Sequence, residues 1–140
     1  MRFMIMVRAT AESEAEAGPA PDDDGKLMAD MVAYHEQLSQ AGVLLDGSGL
    51  QPTSKGWRVR YEGVNRSVSS GPFVESKELI AGYTIIQVRS RDEALEWTRR
   101  FPAPFGEFAD GEIEVRQLYE LDDFPPSESL ARLRKLGSGG

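Results

Sequence analysis

Two stretches of this chain alternate in a way that leaves apolar groups on both sides. From Arg2 to Arg8, Phe3, Ile5 and Val7 fall on one face and Met4 and Met6 on the other. That pattern predicts a strand with neither side wet. From Leu79 to Val88, the set Leu79, Ala81, Tyr83 and Ile85 alternates with Ile80, Thr84, Ile86 and Val88. This is the longest β-rich run and predicts a central strand. Elsewhere the alternation is one-sided. Over Gly56 to Glu62, Trp57, Val59 and Tyr61 oppose Arg58, Arg60 and Glu62, a half-buried strand that Gly63-Val64-Asn65 turns into an antiparallel partner over Arg66 to Ser69. Glu112 to Leu121 predicts a last strand near a sheet edge, with Ile113, Val115 and Tyr119 opposite Glu114, Arg116 and Glu120.

The helical period appears twice in the body of the chain. Lys26 to Ala41 carries Leu27, Met31, Tyr34, Leu38 and Ala41 on one stripe, widened by Met28 and Val32, and Gly42 ends it. Ser90, three residues before Glu93, predicts a capping box for a second helix whose apolar face is Ala94, Leu95, Trp97, Thr98 and Phe101. Pro102 and Pro104 stop it. Val43 to Asp46 begins a short strand, after which Gly47-Ser48-Gly49 predicts a turn. Thr10 to Gly25, with Gly18 and Asp22-Asp23-Asp24, predicts a loop. Ser127 to Leu136 places Leu130, Leu133 and Leu136 at spacing three, a short helix that needs a surface to lie on.

The order is strand, helix, short strand, hairpin, strand, helix, strand. Connections this short put both helices on the same side of the sheet. The other side, apolar in two strands, then needs a partner sheet, which predicts a homodimer with two antiparallel sheets face to face.

Composition narrows the classes. A chain of 140 residues with 40% hydrophobic content supports one core. The absence of cysteine removes disulfides, thiolate metal sites and cysteine nucleophiles, and predicts a cytoplasmic protein. No run reaches membrane-spanning length. A formal charge of −7 disfavours direct binding to nucleic acid, although Arg58, Arg60 and Arg66 around the hairpin form a local basic cluster.

Two motifs carry a resemblance. Ala41-Gly42-Val43-Leu44-Leu45 with Gly47-Ser48-Gly49-Leu50-Gln51-Pro52, followed by Gly71-Pro72-Phe73-Val74-Glu75-Ser76-Lys77-Glu78-Leu79-Ile80-Ala81-Gly82-Tyr83, resembles the YCII-related proteins, and within them the DGPF branch with its signature Asp-Gly-Pro-Phe-Ala-Glu-Thr-Lys-Glu. Ser70, Val74 and Ser76 depart from that signature; a serine at 70 cannot supply the carboxylate that acid–base chemistry at this turn requires. The resemblance covers residues 1–124 and leaves 125–140 as a C-terminal tail with the short helix. It implies an α+β, ferredoxin-like antiparallel sheet with two helices on one face, dimerising into an α/β barrel. It also implies an accessory role in sigma-factor-dependent transcription, with a protein partner.

The candidate chemistry follows from the same positions. The wider family resembles small lyases and isomerases with a His and Asp pair at the dimer cleft, and His35 with Asp46 is the best local match. Such a pair would give a base usable near neutral pH; a hydrogen-bonded core histidine and an ordinary Asp-Gly turn are the competing readings. Arg66 is the candidate anion holder, and a cleft lined by Tyr83, Arg66, His35 and Met6 is the candidate pocket. Gly82 in mid-strand points to close approach by another backbone or a ligand. Glu75 and Lys77 match the signature, with Lys77 held as an ion pair that fixes the turn. No metal set and no cofactor motif is present. The favoured reading is a homodimeric module that binds an unknown small molecule or regulates; the alternatives are a cofactor-free lyase or isomerase on a small anionic compound, and a scaffold.

Overall fold

The computed structural model describes residues 1–11, 13–14, 25–74 and 78–137. Its centre is a pair of antiparallel strands, β1 (Arg2–Arg8) and β5 (Ile80–Gln87), joined in register from Arg2 opposite Gln87 to Val7 opposite Gly82. Strand β2 (Leu44–Gly49) adds to the outer edge of β5 and β6 (Ile113–Gln117) to the outer edge of β1. The result is an open, fully antiparallel four-stranded sheet in the order β2-β5-β1-β6. With its helices this is an α+β fold.

Both long helices lie on one face. Helix α1 (Lys26–Gln40) buries Tyr34 and Leu38, and α2 (Arg91–Arg99) buries Ala94, all in one core with Phe3, Ile5, Val43, Ile86 and Val88. Ile5, Leu38 and Ile86 are completely buried, each worth about 1.5–3 kcal/mol relative to exposure. Tyr34 ties the two helices together: its hydroxyl donates to the Trp97 carbonyl at 2.8 Å, and its ring meets Trp97 and Phe101 edge-on. Burial pushes the Tyr34 phenol up to about 12, with the Arg100 guanidinium pulling the other way. The stripe on α1 is narrower than the sequence predicts. Met28, Val32 and Ala41 are exposed, while Tyr34 and Leu38 are buried with Leu27, Met31 and His35 half-buried beside them. Ser90 caps α2 by accepting from the Glu93 backbone at 3.1 Å, while the Glu93 carboxylate accepts from Arg89.

Strand β2 corrects the sequence reading. Gly47, Ser48 and Gly49 are strand, not turn, and stand opposite Thr84, Tyr83 and Gly82. The physical reason lies in the glycines. A Cβ on Gly82 would come 3.1 Å from the Ser48 carbonyl and 3.4 Å from Gly49 Cα, so two bare backbones can approach where side chains would hold them apart. The pairing shifts register between Leu44 and Asp46.

The hairpin stands apart. Strands β3 (Trp57–Glu62) and β4 (Asn65–Ser70) form their own two-stranded sheet, and every residue of both is exposed. The half-buried strand expected here is therefore not half-buried: Trp57, Val59 and Tyr61 are all exposed, and no described element packs over them. Helix α3 (Glu128–Lys135), capped by Ser127, lies beyond β6, with Leu130 half-buried and Leu133 and Leu136 exposed.

Candidate functional site

The face of the sheet turned away from α1 and α2 is a half-buried apolar strip. On β1, Met4 and Met6 point to it; on β5, Ile85 stands opposite Met4 and Tyr83 opposite Met6. Its two rims differ. Towards β6 lie ion pairs, Arg8 with Glu114 and with Glu112 at 3.4 Å, and Arg2 with Glu120 at 3.0 Å, together with the exposed Arg116 opposite Met4. Towards β2 lies a polar pair: the Tyr83 hydroxyl donates to Asp46 Oδ2 at 3.1 Å, and Asp46 Oδ1 accepts from the Gly47 backbone at 2.8 Å. A phenol and a carboxylate at the edge of a flexible apolar surface can orient a small molecule with one polar end.

His35 is on the other face. Its Nδ1 lies 2.7 Å from the Met31 carbonyl, which only accepts, so Nδ1 carries the proton and donates. Its Nε2 meets the Thr84 hydroxyl at 2.8 Å, and Thr84 is buried on the helix-covered side of β5. A Cβ on Gly47 would sit 3.4 Å from Nε2. Neighbours in a strand point to opposite sides, so Gly47 faces the histidine while Asp46 faces Tyr83. The sheet separates His35 from Asp46, and no base–orienter pair forms between them.

Arg66 is also elsewhere. It belongs to the hairpin, with its guanidinium 4.8 Å over the Tyr61 ring, rather than to the sheet that holds Tyr83. The cleft expected from Tyr83, Arg66, His35 and Met6 is thus reduced within one chain to Tyr83 and Met6, joined by Asp46. On the opposite side of the hairpin, Arg58, Arg60, Glu62, Ser67, Ser69 and Phe73, with Val59, line an open hollow of about 550 Å³. Glu75 and Lys77 lie outside the described residues. What is described of their turn is a clamp. Thr53 Oγ1 accepts from the Phe73 backbone at 2.9 Å and donates to the Glu14 carboxylate, which also accepts from the Thr53 backbone. Among the described residues no group of three or more His, Asp or Glu side chains is placed to hold a metal ion, and no helix is long and apolar enough to cross a membrane.

The family model of the YCII-related domain matches residues 1–122. The chain belongs to the YCII-related family. A relative of this YCII-related chain, an uncharacterized protein of Rhizobium meliloti (strain 1021), is 29% identical over 104 residues, which covers 74% of this chain and 84% of that protein.

Two partners in this YCII-related site were missed from the sequence. Thr84 could have been found by strand parity, since it shares a side with Ile86 and Val88 and so faces the helix that carries His35. The Glu14–Thr53–Phe73 clamp had no signal in spacing, because it joins three loops far apart in the chain.

Proposed function

We propose that this YCII-related protein is a homodimeric small-molecule-binding or regulatory module of the cytoplasm, with its cleft on the uncovered sheet face. One observation carries the reading: Met4, Met6 and Ile85 form an apolar floor that none of the described elements covers, and the Tyr83–Asp46 pair stands at its edge. The ligand class that fits has an apolar body over the methionines and a hydrogen-bonding group at Tyr83 and Asp46. Two ferredoxin-like units facing each other across that floor give the dimeric α/β barrel, and the Gly71-Pro72-Phe73 turn with Lys77-Glu78 supports membership of the DGPF branch. Binding is favoured over lyase or isomerase chemistry because His35 and Asp46 occupy opposite faces, so the proposed base has no orienting carboxylate from that residue. Any role in sigma-factor-dependent transcription runs through protein contact, given the acidic balance.

The test is a thermal-shift screen of small metabolites against the wild-type protein, Tyr83→Phe and Asp46→Asn. A compound that raises the wild-type melting temperature and loses its effect in both variants is the expected result. A panel in which every stabilising compound acts equally on the three proteins would refute the site.

A further inference from the structure

The apolar floor of the open sheet face ends in a charge on each side, and the strand registers fix where each group stands. Residues directly opposite in antiparallel strands share a face, so two rows cross this one. Asp46, Ile85, Met4 and Arg116 make the first; Ser48, Tyr83, Met6 and Glu114 make the second. Ile113 and Val115 pack against the helix-covered core, which leaves Glu114 and Arg116 to the open side of β6. The first row thus runs from a carboxylate on β2, over Ile85 and Met4, to a guanidinium on β6.

The three arginines of this face are not used alike. Arg2 and Arg8 share the strand parity of Met4 and Met6, and their charges are met by Glu120 and by Glu112 and Glu114. Glu114, the carboxylate nearest to Arg116 along β6, is thereby occupied by Arg8. Arg116 is exposed and, among the described residues, makes no ion pair. At the other end Asp46 is exposed as well. It accepts from the Tyr83 hydroxyl and the Gly47 backbone, and a carboxylate has lone pairs left for a further donor. Neighbouring strands lie about 4.8 Å apart, so three intervals separate the Asp46 and Arg116 backbones by about 14 Å.

We infer that the ligand of this cleft is an elongated carboxylate with an apolar body and a hydroxyl at its far end, its carboxylate held by Arg116 and its hydroxyl by Asp46 with Tyr83. This rests on the reading of the open face as the binding cleft and adds an anion holder at the end away from the polar pair. Arg116 takes the part expected of Arg66, which stands on the hairpin instead. A guanidinium suits it, because its planar fork meets a carboxylate with two parallel N–H···O bonds. Asp46 fixes the direction of the ligand: it accepts from a hydroxyl and repels a carboxylate. Between the two ends Met4 and Met6 adjust to the shape of the chain that crosses them. With a formal charge of −7 the protein attracts no anion at large, so preference for the acid falls on Arg116.

Isothermal titration calorimetry with a graded series of ω-hydroxy alkanoates, from octanoate to hexadecanoate, and with the α,ω-diol of each length tests this. The wild-type protein should bind at least one hydroxy acid about ten-fold or more tightly than its diol, the margin of a charged hydrogen-bonded pair. Arg116→Gln should remove that margin and leave the affinity for the diol unchanged, and Arg116→Lys should keep part of it. Asp46→Asn and Tyr83→Phe should weaken acid and diol alike. A hydroxy acid that loses affinity in Asp46→Asn and Tyr83→Phe but binds Arg116→Gln as tightly as wild type overturns the anion holder and leaves the cleft standing. Equal weakening of acid and diol by Arg116→Gln also overturns it, since the effect is then not on the carboxylate. No binding across the series, or one affinity in every variant, overturns the cleft together with it.

Discussion

Strands β1 and β5 have two faces built from different residues. Towards the helices they present Phe3, Ile5, Thr84 and Ile86, with Val88 just beyond β5, packed with Tyr34, Leu38 and Ala94 in a closed core. Away from them they present Met4, Met6, Tyr83 and Ile85, only half-buried. β-Branched and aromatic groups with few rotamers suit permanent packing; methionine suits a surface that must adapt to what lands on it. One sheet thus serves as scaffold on one side and as receiving surface on the other.

The sharpest way to separate the faces is truncation. Leu38→Ala should cost about 2–5 kcal/mol, because it leaves a cavity in the closed core. Met4→Ala should cost less than about 1 kcal/mol in dilute protein, where its face is open. Urea denaturation measures both; equal losses would mean that the two faces are equally packed. Between these extremes lies Gly71→Ala, expected to destabilise by roughly 2–3 kcal/mol, since its new methyl group meets the Thr53 carbonyl. A neutral result in the same titration would mean that the clamp yields freely.

His35 tests which side of the sheet the histidine serves. His35→Ala should lose about 1–2 kcal/mol by leaving the buried Thr84 hydroxyl unsatisfied, and ligand shifts at Tyr83 should persist in it. If stability is unchanged and ligand response disappears, the histidine belongs to the binding site instead.

A further effect is a pH dependence on the covered side. Tyr34 holds its proton to about 12 in the folded protein, against 10.0 ordinarily. Between those values the folded state binds the proton more tightly than the unfolded one, so this contribution is intact below pH 10 and is lost as pH rises through about 12. Tyr34→Phe should remove that part of the alkaline loss, as seen in the difference between the two stability–pH curves. Identical slopes above pH 10 would show that Tyr34 is not the titrating group.

Much of this is legible in the sequence. Alternation in Arg2 to Arg8 and Leu79 to Val88 gave the central strands and their two-sided character, and the 3.6-residue stripes gave the helices. The site was less legible, for specific reasons. His35 and Asp46 are eleven residues apart, but spacing says nothing about faces, and the register shift in β2 decides which side Asp46 takes. Gly47-Ser48-Gly49 looked like a turn because glycine usually signals one; here the matching Gly82 makes it a strand. The alternation in β3 was correctly periodic, yet periodicity cannot tell a side chain covered by its own chain from one left open.

Sedimentation equilibrium of the wild-type protein across the micromolar range tests most directly whether the open face is completed by a second copy. The prediction is a mass of twice 15.5 kDa that falls towards 15.5 kDa only on dilution. A constant 15.5 kDa throughout would contradict it.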